Sequence, residues 1–230
     1  MSLWTVRAMK IFNTKVYALE ESLIRSGYAM QTEILDMNEA IYQDTYCSKP
    51  YECGGRYRKS EDRMSFKRGF KLGNIGAGSG DDCFLKGIIV QADCEFPQYL
   101  WQQAKRYHWF DIISSQSTMH SILKMDLDEM YNSRIDHRIK DITKEYIEIY
   151  RQYPTPENFE NILANVGQGL ELTAGVSTNY LQLKTMYYQR EFHLLPCWKV
   201  FKDWCNSLPY FKELCLRGKM GIKIDEKEVI

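Results

Sequence analysis

The C-terminal half of the chain carries a helical pattern that sets most of the fold. Apolar and aromatic residues recur there at the spacing of one helix face: Ile139, Ile142, Tyr146, Ile149, Tyr150 and Tyr153. Thr155-Pro156-Glu157 predicts the start of another helix, capped by the threonine. A last helix is expected to bury its apolar face before Pro209: Trp198, Phe201, Trp204, Cys205 and Leu208. Residues 121–216 are therefore predicted to be mostly helical.

The N-terminal half contains the strand signals. Lys10–Tyr17 is predicted to form a strand leading into a short helix, which Ser26-Gly27 would end with a left-handed glycine cap. The apolar run Ile88-Ile89-Val90 predicts a buried strand, and Pro97 predicts the first turn of the following helix. Residues 44–82 are expected to be irregular. Together these patterns favour an α/β fold, with a central antiparallel or mixed sheet, several packed helices and a helical C-terminal half.

Composition fits one domain over residues 1–230. The chain has 44% hydrophobic and 26% charged residues, and its length allows roughly 70% of the unfolded surface to be buried. Thirty Lys and Arg balance thirty Asp and Glu, so net charge provides no overall attraction to duplex nucleic acid or anionic lipid. No apolar run approaches the roughly 20 residues of a membrane span, and no signal-peptide core is present. A cytoplasmic protein is expected.

The cysteines do not have the spacing of a metal site. There are seven, at positions 47, 53, 83, 94, 197, 205 and 215, without a C-x-x-C pair and with only four histidines in the chain. A structural zinc site is therefore not expected, and the thiols are interpreted as reduced. Cys47 and Cys53 flank a turn-like segment, so a disulfide between them stays an alternative.

The glycine-rich stretch Gly73–Gly80 is not a P-loop. A P-loop requires Gly-Lys-Ser/Thr at the start of a helix, whereas Asp81-Asp82 follows here and two carboxylates would repel phosphate. The stretch is interpreted as a mobile connection before a strand, or else as a loop that covers a ligand.

Two separate segments would suit an anionic, flat ligand. In the first, Gln103 and Arg106 are expected to share a face of the helix from Pro97, and the uncharged cluster 114–118 offers donors and acceptors for ring edges or phosphate. The alternative is an amphipathic helix with a solvated arginine, and a serine that merely caps the next helix.

The second segment is a helix that starts near Asn179. Tyr180, Leu183, Met186 and Tyr187 form its apolar stripe, and Arg190 continues that stripe. A buried arginine needs a partner, which can be an internal carboxylate or an anionic group of a ligand.

On these residues the chain resembles the flavin-dependent thymidylate synthases, also called thymidylate synthase complementing proteins. Gly80-Asp81-Asp82 stands where the family has Gly-His-Glu, and Arg106-Tyr107-His108 stands in place of Arg-His-Arg. With one inserted residue, Ser115-x-Ser117-x-Met119-His120 falls on Glu-x-Ser-x-Arg-Tyr. The block from Gly169 to Arg190 resembles the family's Thr…Asn…Arg segment, with the same Asn-to-Arg spacing. The resemblance covers about half of the chain, which also looks like uncharacterised bacteriophage and prophage proteins.

The resemblance implies a homotetramer with active sites at subunit interfaces. It implies a transferase of nucleotide biosynthesis that binds FAD and dUMP and uses NADPH and methylenetetrahydrofolate to make dTMP by reductive methylation. The implied catalytic residues are Arg190 and Ser117. The implied dUMP contacts are Gln103, Arg106, Ser115, Ser117 and Arg190. The implied flavin contacts are Asp81, Cys83, Arg106, Tyr107, His108, Asn179 and Thr185.

Several signature positions differ from the family's pattern. His108 replaces an arginine, Ser115 a glutamate, Met119 an arginine and Asp81 a histidine. A further phosphate-binding arginine would fall near residues 163–164, which are leucine and alanine. Each lost charge-assisted contact removes about 1.5–3 kcal/mol of binding free energy. Possible replacements for the lost cations are Lys105, Arg151 and the basic run 56–71.

The sequence therefore leaves three hypotheses. The first is a divergent FAD-dependent thymidylate synthase, and the second is a non-catalytic or altered-specificity nucleotide-binding relative without flavin activity. The third is an unrelated helical interaction protein, in which Arg190 is salt-bridged and the serine cluster is a cap.

Overall fold

The computed structural model describes residues 9–46, 57–75 and 80–216. They form a mixed α/β fold in which helices accompany a four-stranded antiparallel sheet, so the predicted fold class is confirmed. The strands are β1 (Lys10–Tyr17), β2 (Ile89–Pro97), β3 (Asp111–Ser115) and β4 (Glu171–Asn179). The first helices are α1 (Leu19–Arg25), α2 (Met37–Thr45), α3 (Met64–Gly73), α4 (Gln98–Ala104), α5 (Thr118–Ser121) and α6 (Leu127–Met130). The later helices are α7 (His137–Gln152), α8 (Pro156–Asn165), α9 (Tyr180–Gln189), α10 (Cys197–Ser207) and α11 (Phe211–Cys215). Short 3-10 helices span Tyr28–Met30, Ser60–Asp62, Asp81–Gly87 and Ile122–Lys124.

The chain divides into two compact units. Unit 1 comprises Met1–Lys15, Gln91–Ser177 and His193–Phe201, and unit 2 comprises Val16–Val90, Thr178–Phe192 and Lys202–Ile230. The single domain over 1–230 stays a prediction. No helix in the described ranges is long and apolar enough to cross a membrane.

The sheet has the strand order β1-β2-β4-β3 and lies mainly in unit 1. β3 pairs antiparallel with β4, with Ser115 opposite Ala174 and a register shift between Ile112 and Ser114. The Trp101 indole of α4 donates to the Leu172 carbonyl of β4 at 3.0 Å. These contacts place the end of β3 beside α4.

The helices of unit 1 follow the predicted periodicity. α7 packs on α8 around buried apolar residues: Ile122, Leu127, Tyr131, Ile147, Ile162, Leu170 and Leu172. Thr155 caps α8 by accepting from the Asn158 N–H at 3.2 Å, which confirms the predicted helix start. α10 buries its predicted apolar face, but it is not the last helix, because α11 follows.

Unit 2 is held together by a buried arginine as well as by an apolar core. Arg63 is 2% exposed and donates to both carboxylate oxygens of Glu20 and to Asp44. Burial alone would raise the pKa of Asp44, but hydrogen bonds from Ser65 and the Arg63 guanidinium hold that pKa below its ordinary value. This network ties α1 and α2 to the start of α3.

The end of α1 differs from the prediction. Gly27 has φ −97°, so it is not a left-handed cap. The Arg68 guanidinium instead donates to the carbonyls of Leu23 and Ile24, and a Cβ at position 27 would lie 2.5 Å from its central carbon. Glycine is required here to make room for Arg68 rather than to reverse the backbone.

The segment 44–82 was predicted to be irregular, and this is wrong for α3. The glycine-rich loop and a Cys47–Cys53 bond lie at least partly outside the described residues. β3 and β4 were not predicted as strands, and β4 lies inside the range expected to be helical.

Candidate functional site

A polar cavity of about 250 Å³ lies beside the end of β3 in unit 1. We call it the serine cavity, and its walls are formed by Gln98, Trp101, Lys105, Ile112, Ser115, Gln116, Ser117, Thr118, Leu172 and Ala174. It contains the uncharged cluster singled out in the sequence, and it has a mixed lining of hydroxyl, amide, ammonium and apolar groups.

The backbone of this cluster is fixed by Gln116. The Gln116 N–H donates to the Thr173 carbonyl at 2.9 Å, and its side-chain oxygen accepts from the Thr173 N–H at 2.8 Å. Ser117 occupies the N-cap position of α5, yet its side chain makes no capping bond. Within the described residues, no internal hydrogen bond occupies the hydroxyls of Ser115, Ser117 or Thr118. The backbone that carries these hydroxyls is therefore fixed at Gln116, and no described residue uses their bonding capacity.

The cation of the serine cavity is Lys105. It follows α4, where its backbone N–H donates to the Trp101 carbonyl at 2.9 Å. Its side chain is exposed, and no carboxylate in the described part of the chain forms an ion pair with it. The cavity therefore has a positive charge that no internal anion neutralises.

A second, larger cavity of about 590 Å³ lies in unit 2. We call it the Lys184 cavity, and it is lined by Gly80, Asp82, Cys83, Leu181, Lys184, Thr185, Tyr188 and Gln189. Gly80 opens the adjoining 3-10 helix with φ +83°, a conformation that glycine adopts without a steric cost.

Lys184 is bound internally. Its ammonium donates to Asp82 at 2.7 Å and to the Gly73 carbonyl at 2.8 Å, and both side chains of the ion pair are about nine-tenths buried. The pairing neutralises Asp82, so the sequence-based expectation that both carboxylates would repel phosphate does not hold for Asp82. Sequence reasoning missed this pair because its members lie 102 residues apart.

Some of the predicted site residues line one of the two cavities, and others lie outside both. Ser115 and Ser117 line the serine cavity, whereas Cys83 and Thr185 line the Lys184 cavity. Arg106, Tyr107 and His108 are in the turn after α4 and line neither cavity. The helix ends at Ala104, so the expectation that Gln103 and Arg106 share one helix face is wrong.

Gln103 is oriented by Trp198 within unit 1. The indole Nε1 donates to the Gln103 side-chain oxygen at 3.2 Å. Because an indole nitrogen is only a donor, this contact fixes which end of the amide faces Trp198. The amide NH2 of Gln103 is left pointing away from that bond, where it can donate to an acceptor.

The predicted residues around α9 have local roles. Asn179 is the buried N-cap and accepts from the Gln182 N–H at 2.9 Å. The Thr185 hydroxyl donates to the Leu181 carbonyl at 3.0 Å, and part-buried Arg190 is the C-cap. These contacts are compatible with either structural or ligand-binding roles.

In the described segments, the buried thiols are not reactive and the acidic groups do not form a metal site. Burial raises the pKa of Cys94, Cys205 and Cys215, so these thiols stay protonated and unreactive. In the segments that the structure describes, no group of three or more His, Cys, Asp or Glu side chains could hold a metal ion.

No protein-family model and no curated protein matches the sequence. Solved structures do match. The flavin-dependent thymidylate synthase ThyX from Helicobacter pylori, with FAD and dUMP, has a TM-score of 0.56 at 12% identity over 90% of this chain and 97% of its own. A second structure of that enzyme with the same ligands has a TM-score of 0.55 at 13% identity, over 91% and 98%.

The chain has the ThyX fold. This likeness extends over nearly the whole of both chains. At 12–13% identity the comparison with ThyX establishes the fold, and the chemistry has to be argued from the cavities.

Proposed function

We propose that this protein binds a flavin and a pyrimidine nucleotide, as a divergent flavin-dependent thymidylate synthase-like protein that converts dUMP to dTMP. The observation that carries the proposal is the serine cavity: a set of hydroxyls beside a lysine, none of them bonded or ion-paired to another side chain of the described residues, within the ThyX fold. The two similar structures hold FAD and dUMP, which supports the choice of ligands.

The serine cavity suits part of a nucleotide rather than a whole one. Drug-sized ligands occupy pockets of about 300–1,000 Å³, and the serine cavity at about 250 Å³ is slightly smaller. Its hydroxyls can donate to or accept from a phosphate, a ribose or a ring edge. Ser117 is assigned to the nucleotide, and Gln103 presents an amide donor fixed by Trp198.

The Lys184 cavity fits the ring of a flavin better than its diphosphate. Leu181 and Tyr188 supply apolar wall, and Thr185 and Gln189 supply polar edges, as a flat heteroaromatic ring requires. Lys184, the only cation among the described residues that line this cavity, is already bound to Asp82. A bound flavin would supply hydride transfer, with NADPH and methylenetetrahydrofolate as co-substrates.

The remaining roles are proposals about individual side chains. Arg190 is assigned to the uracil, where a guanidinium would stabilise negative charge that develops on the ring. Cys83 is exposed on the cavity wall and Asn179 caps α9, and both are assigned to the flavin. The active assembly is proposed to be a cytoplasmic homotetramer.

A second candidate is a nucleotide-binding relative without flavin activity or with altered specificity. It is favoured by the positions at which arginines of the resembled family are replaced: Met119 is 61% exposed, and His108 lines neither cavity. Such a protein would keep the serine cavity for a nucleotide and make no use of the Lys184 cavity for chemistry.

The absorbance spectrum of the purified protein, before and after addition of FAD, distinguishes the two. We expect flavin bands that shift when dUMP is titrated, together with dTMP formation when NADPH and methylenetetrahydrofolate are supplied. A colourless protein that binds dUMP calorimetrically supports the second candidate instead. Binding of neither FAD nor any nucleoside monophosphate would contradict both.

A further inference from the structure

The structure distinguishes among the replacements that the sequence offered for the lost arginines, namely Lys105, Arg151 and the basic run 56–71. Arg151 pairs with Glu148 at 3.6 Å, donates to the Leu123 carbonyl at 3.3 Å and lines a different cavity. Arg63 and Arg68, in the basic run, are held by internal acceptors of unit 2. Lys105 alone among these lines the serine cavity.

We propose that Lys105 binds the phosphate of a nucleoside monophosphate in the serine cavity. It thereby supplies the positive charge that the resembled family has at the position of Met119. This inference rests on the proposed function, because it takes the serine cavity as the nucleotide site.

The chemistry of the cavity wall favours phosphate at this point. A lysine ammonium is a compact point charge with three donors, and it binds phosphate without the planar geometry that arginine requires. The hydroxyls of Ser115, Ser117 and Thr118 line the same cavity and add donors that no acceptor among the described residues takes up. The apolar wall of Ile112, Leu172 and Ala174 lowers the local polarity and strengthens a charge-assisted bond.

The location of Lys105 also makes the inference testable. Its side chain is exposed and makes no ion pair with a described residue, so its replacement leaves the internal contacts of unit 1 unchanged. A change in ligand binding can then be read without a change in folding.

The experiment compares dUMP with deoxyuridine, which lacks the phosphate, by calorimetric titration of the full chain. The variants are Lys105→Ala and Lys105→Arg, and the matched control is Lys15→Ala, an exposed lysine of β1 outside the cavity. We expect Lys105→Ala to weaken dUMP binding roughly 10- to 100-fold, the equivalent of one charge-assisted contact. Deoxyuridine affinity should stay unchanged, and Lys105→Arg should restore most of the dUMP affinity.

Ionic strength and inorganic phosphate give two further readouts. Added salt should weaken dUMP binding to the wild type more than to Lys105→Ala, because salt screens the ammonium. Inorganic phosphate should compete with dUMP on the wild type and lose that effect in Lys105→Ala.

Two results would overturn the inference in distinguishable ways. If the wild type binds dUMP and Lys105→Ala binds it equally well, Lys105 is not the phosphate cation and the proposed function stands. If the wild type binds neither dUMP nor deoxyuridine, the proposed nucleotide function fails, and the role of Lys105 fails with it.

Discussion

The two cavities each contain one lysine, and the two lysines are used in opposite ways. Lys184 is buried and bound by Asp82 and the Gly73 carbonyl, whereas Lys105 is exposed and has no carboxylate partner in the described chain. The same contrast holds for the nearby hydroxyls. Thr185 donates to the Leu181 carbonyl, and Ser117 in the serine cavity makes no capping bond.

This difference shows which polar groups hold the fold and which are available to a ligand. A buried charge is tolerated only when it is paired, so the Lys184 contacts are needed for stability whatever the cavity binds. An exposed charge beside hydroxyls that no described residue uses contributes little to stability, so its replacement should leave the fold intact. Measuring stability and ligand binding on the same variants should therefore separate the two kinds of group.

The largest expected loss of unfolding free energy is at Lys184. Lys184→Met leaves Asp82 buried without its cation, and loss of one partner of a buried pair costs about 3–5 kcal/mol of unfolding free energy. Urea denaturation should show this loss, with Lys105→Met as the matched control, changed by less than about 0.5 kcal/mol.

The double variant Lys184→Met with Asp82→Asn sharpens this test. Removal of the carboxylate charge should return part of the lost stability, since the penalty comes mainly from the unpaired Asp82. Equal stability of Lys184→Met and the wild type would show that the ion pair is not structural, and the contrast between the two lysines would fail.

The sequence predicted the elements with strong local signals. Thr155-Pro156 sets the start of α8 and Asn179 the start of α9, because a cap and a fixed proline φ act within a few residues. β1 was predicted over its full length. The serine cluster was also identified as a candidate binding segment, and it lies on a cavity wall.

The features that were missed depend on distant partners. β4 contains glycine, serine and threonine, and it becomes a strand because β2 and β3 pair with it. Whether a lysine is exposed, as Lys105 is, or buried against a carboxylate, as Lys184 is, depends on residues far along the chain. A single sequence without an alignment carries no signal for these pairings.

The next largest loss of stability is expected at Asp44, which is one of the polar groups that hold the fold. Asp44→Asn removes a charge that pairs with buried Arg63, and we expect a loss of about 3 kcal/mol at neutral pH. Because the folded pKa of Asp44 is lowered, its contribution is present above the unfolded value of about 4 and is lost as pH falls through the folded pKa.

Thermal or urea unfolding of the wild type and Asp44→Asn between neutral and acidic pH measures this directly. The difference between the two proteins should begin to shrink below about pH 4, where Asp44 of the unfolded wild type becomes protonated, and should go on shrinking as the pH falls through the lower folded pKa. A constant difference across the whole range would mean that Asp44 acts through packing rather than charge.

A smaller loss of stability is expected at Gln103, which combines an internal hydrogen bond with an amide NH2 that can donate to a ligand. Gln103→Met removes the amide oxygen that accepts from the indole N–H of buried Trp198, which should cost about 1–2 kcal/mol of unfolding free energy. In a double-mutant cycle with Trp198→Phe, the combined loss should be smaller than the sum of the two losses. Strict additivity would indicate that Trp198 does not orient the Gln103 amide.

The smallest stability effect is expected at Ser117, and it tests the contrast most directly against Asn179. Both residues occupy N-cap positions, but only Asn179 accepts a backbone N–H. Asn179→Ala should therefore cost about 1–2 kcal/mol, while Ser117→Ala should change stability by less than about 0.5 kcal/mol and weaken dUMP binding. If Ser117→Ala destabilises the protein as much as Asn179→Ala and leaves dUMP binding unchanged, the serine is a structural cap. The main argument that the serine cavity binds a ligand would then fail.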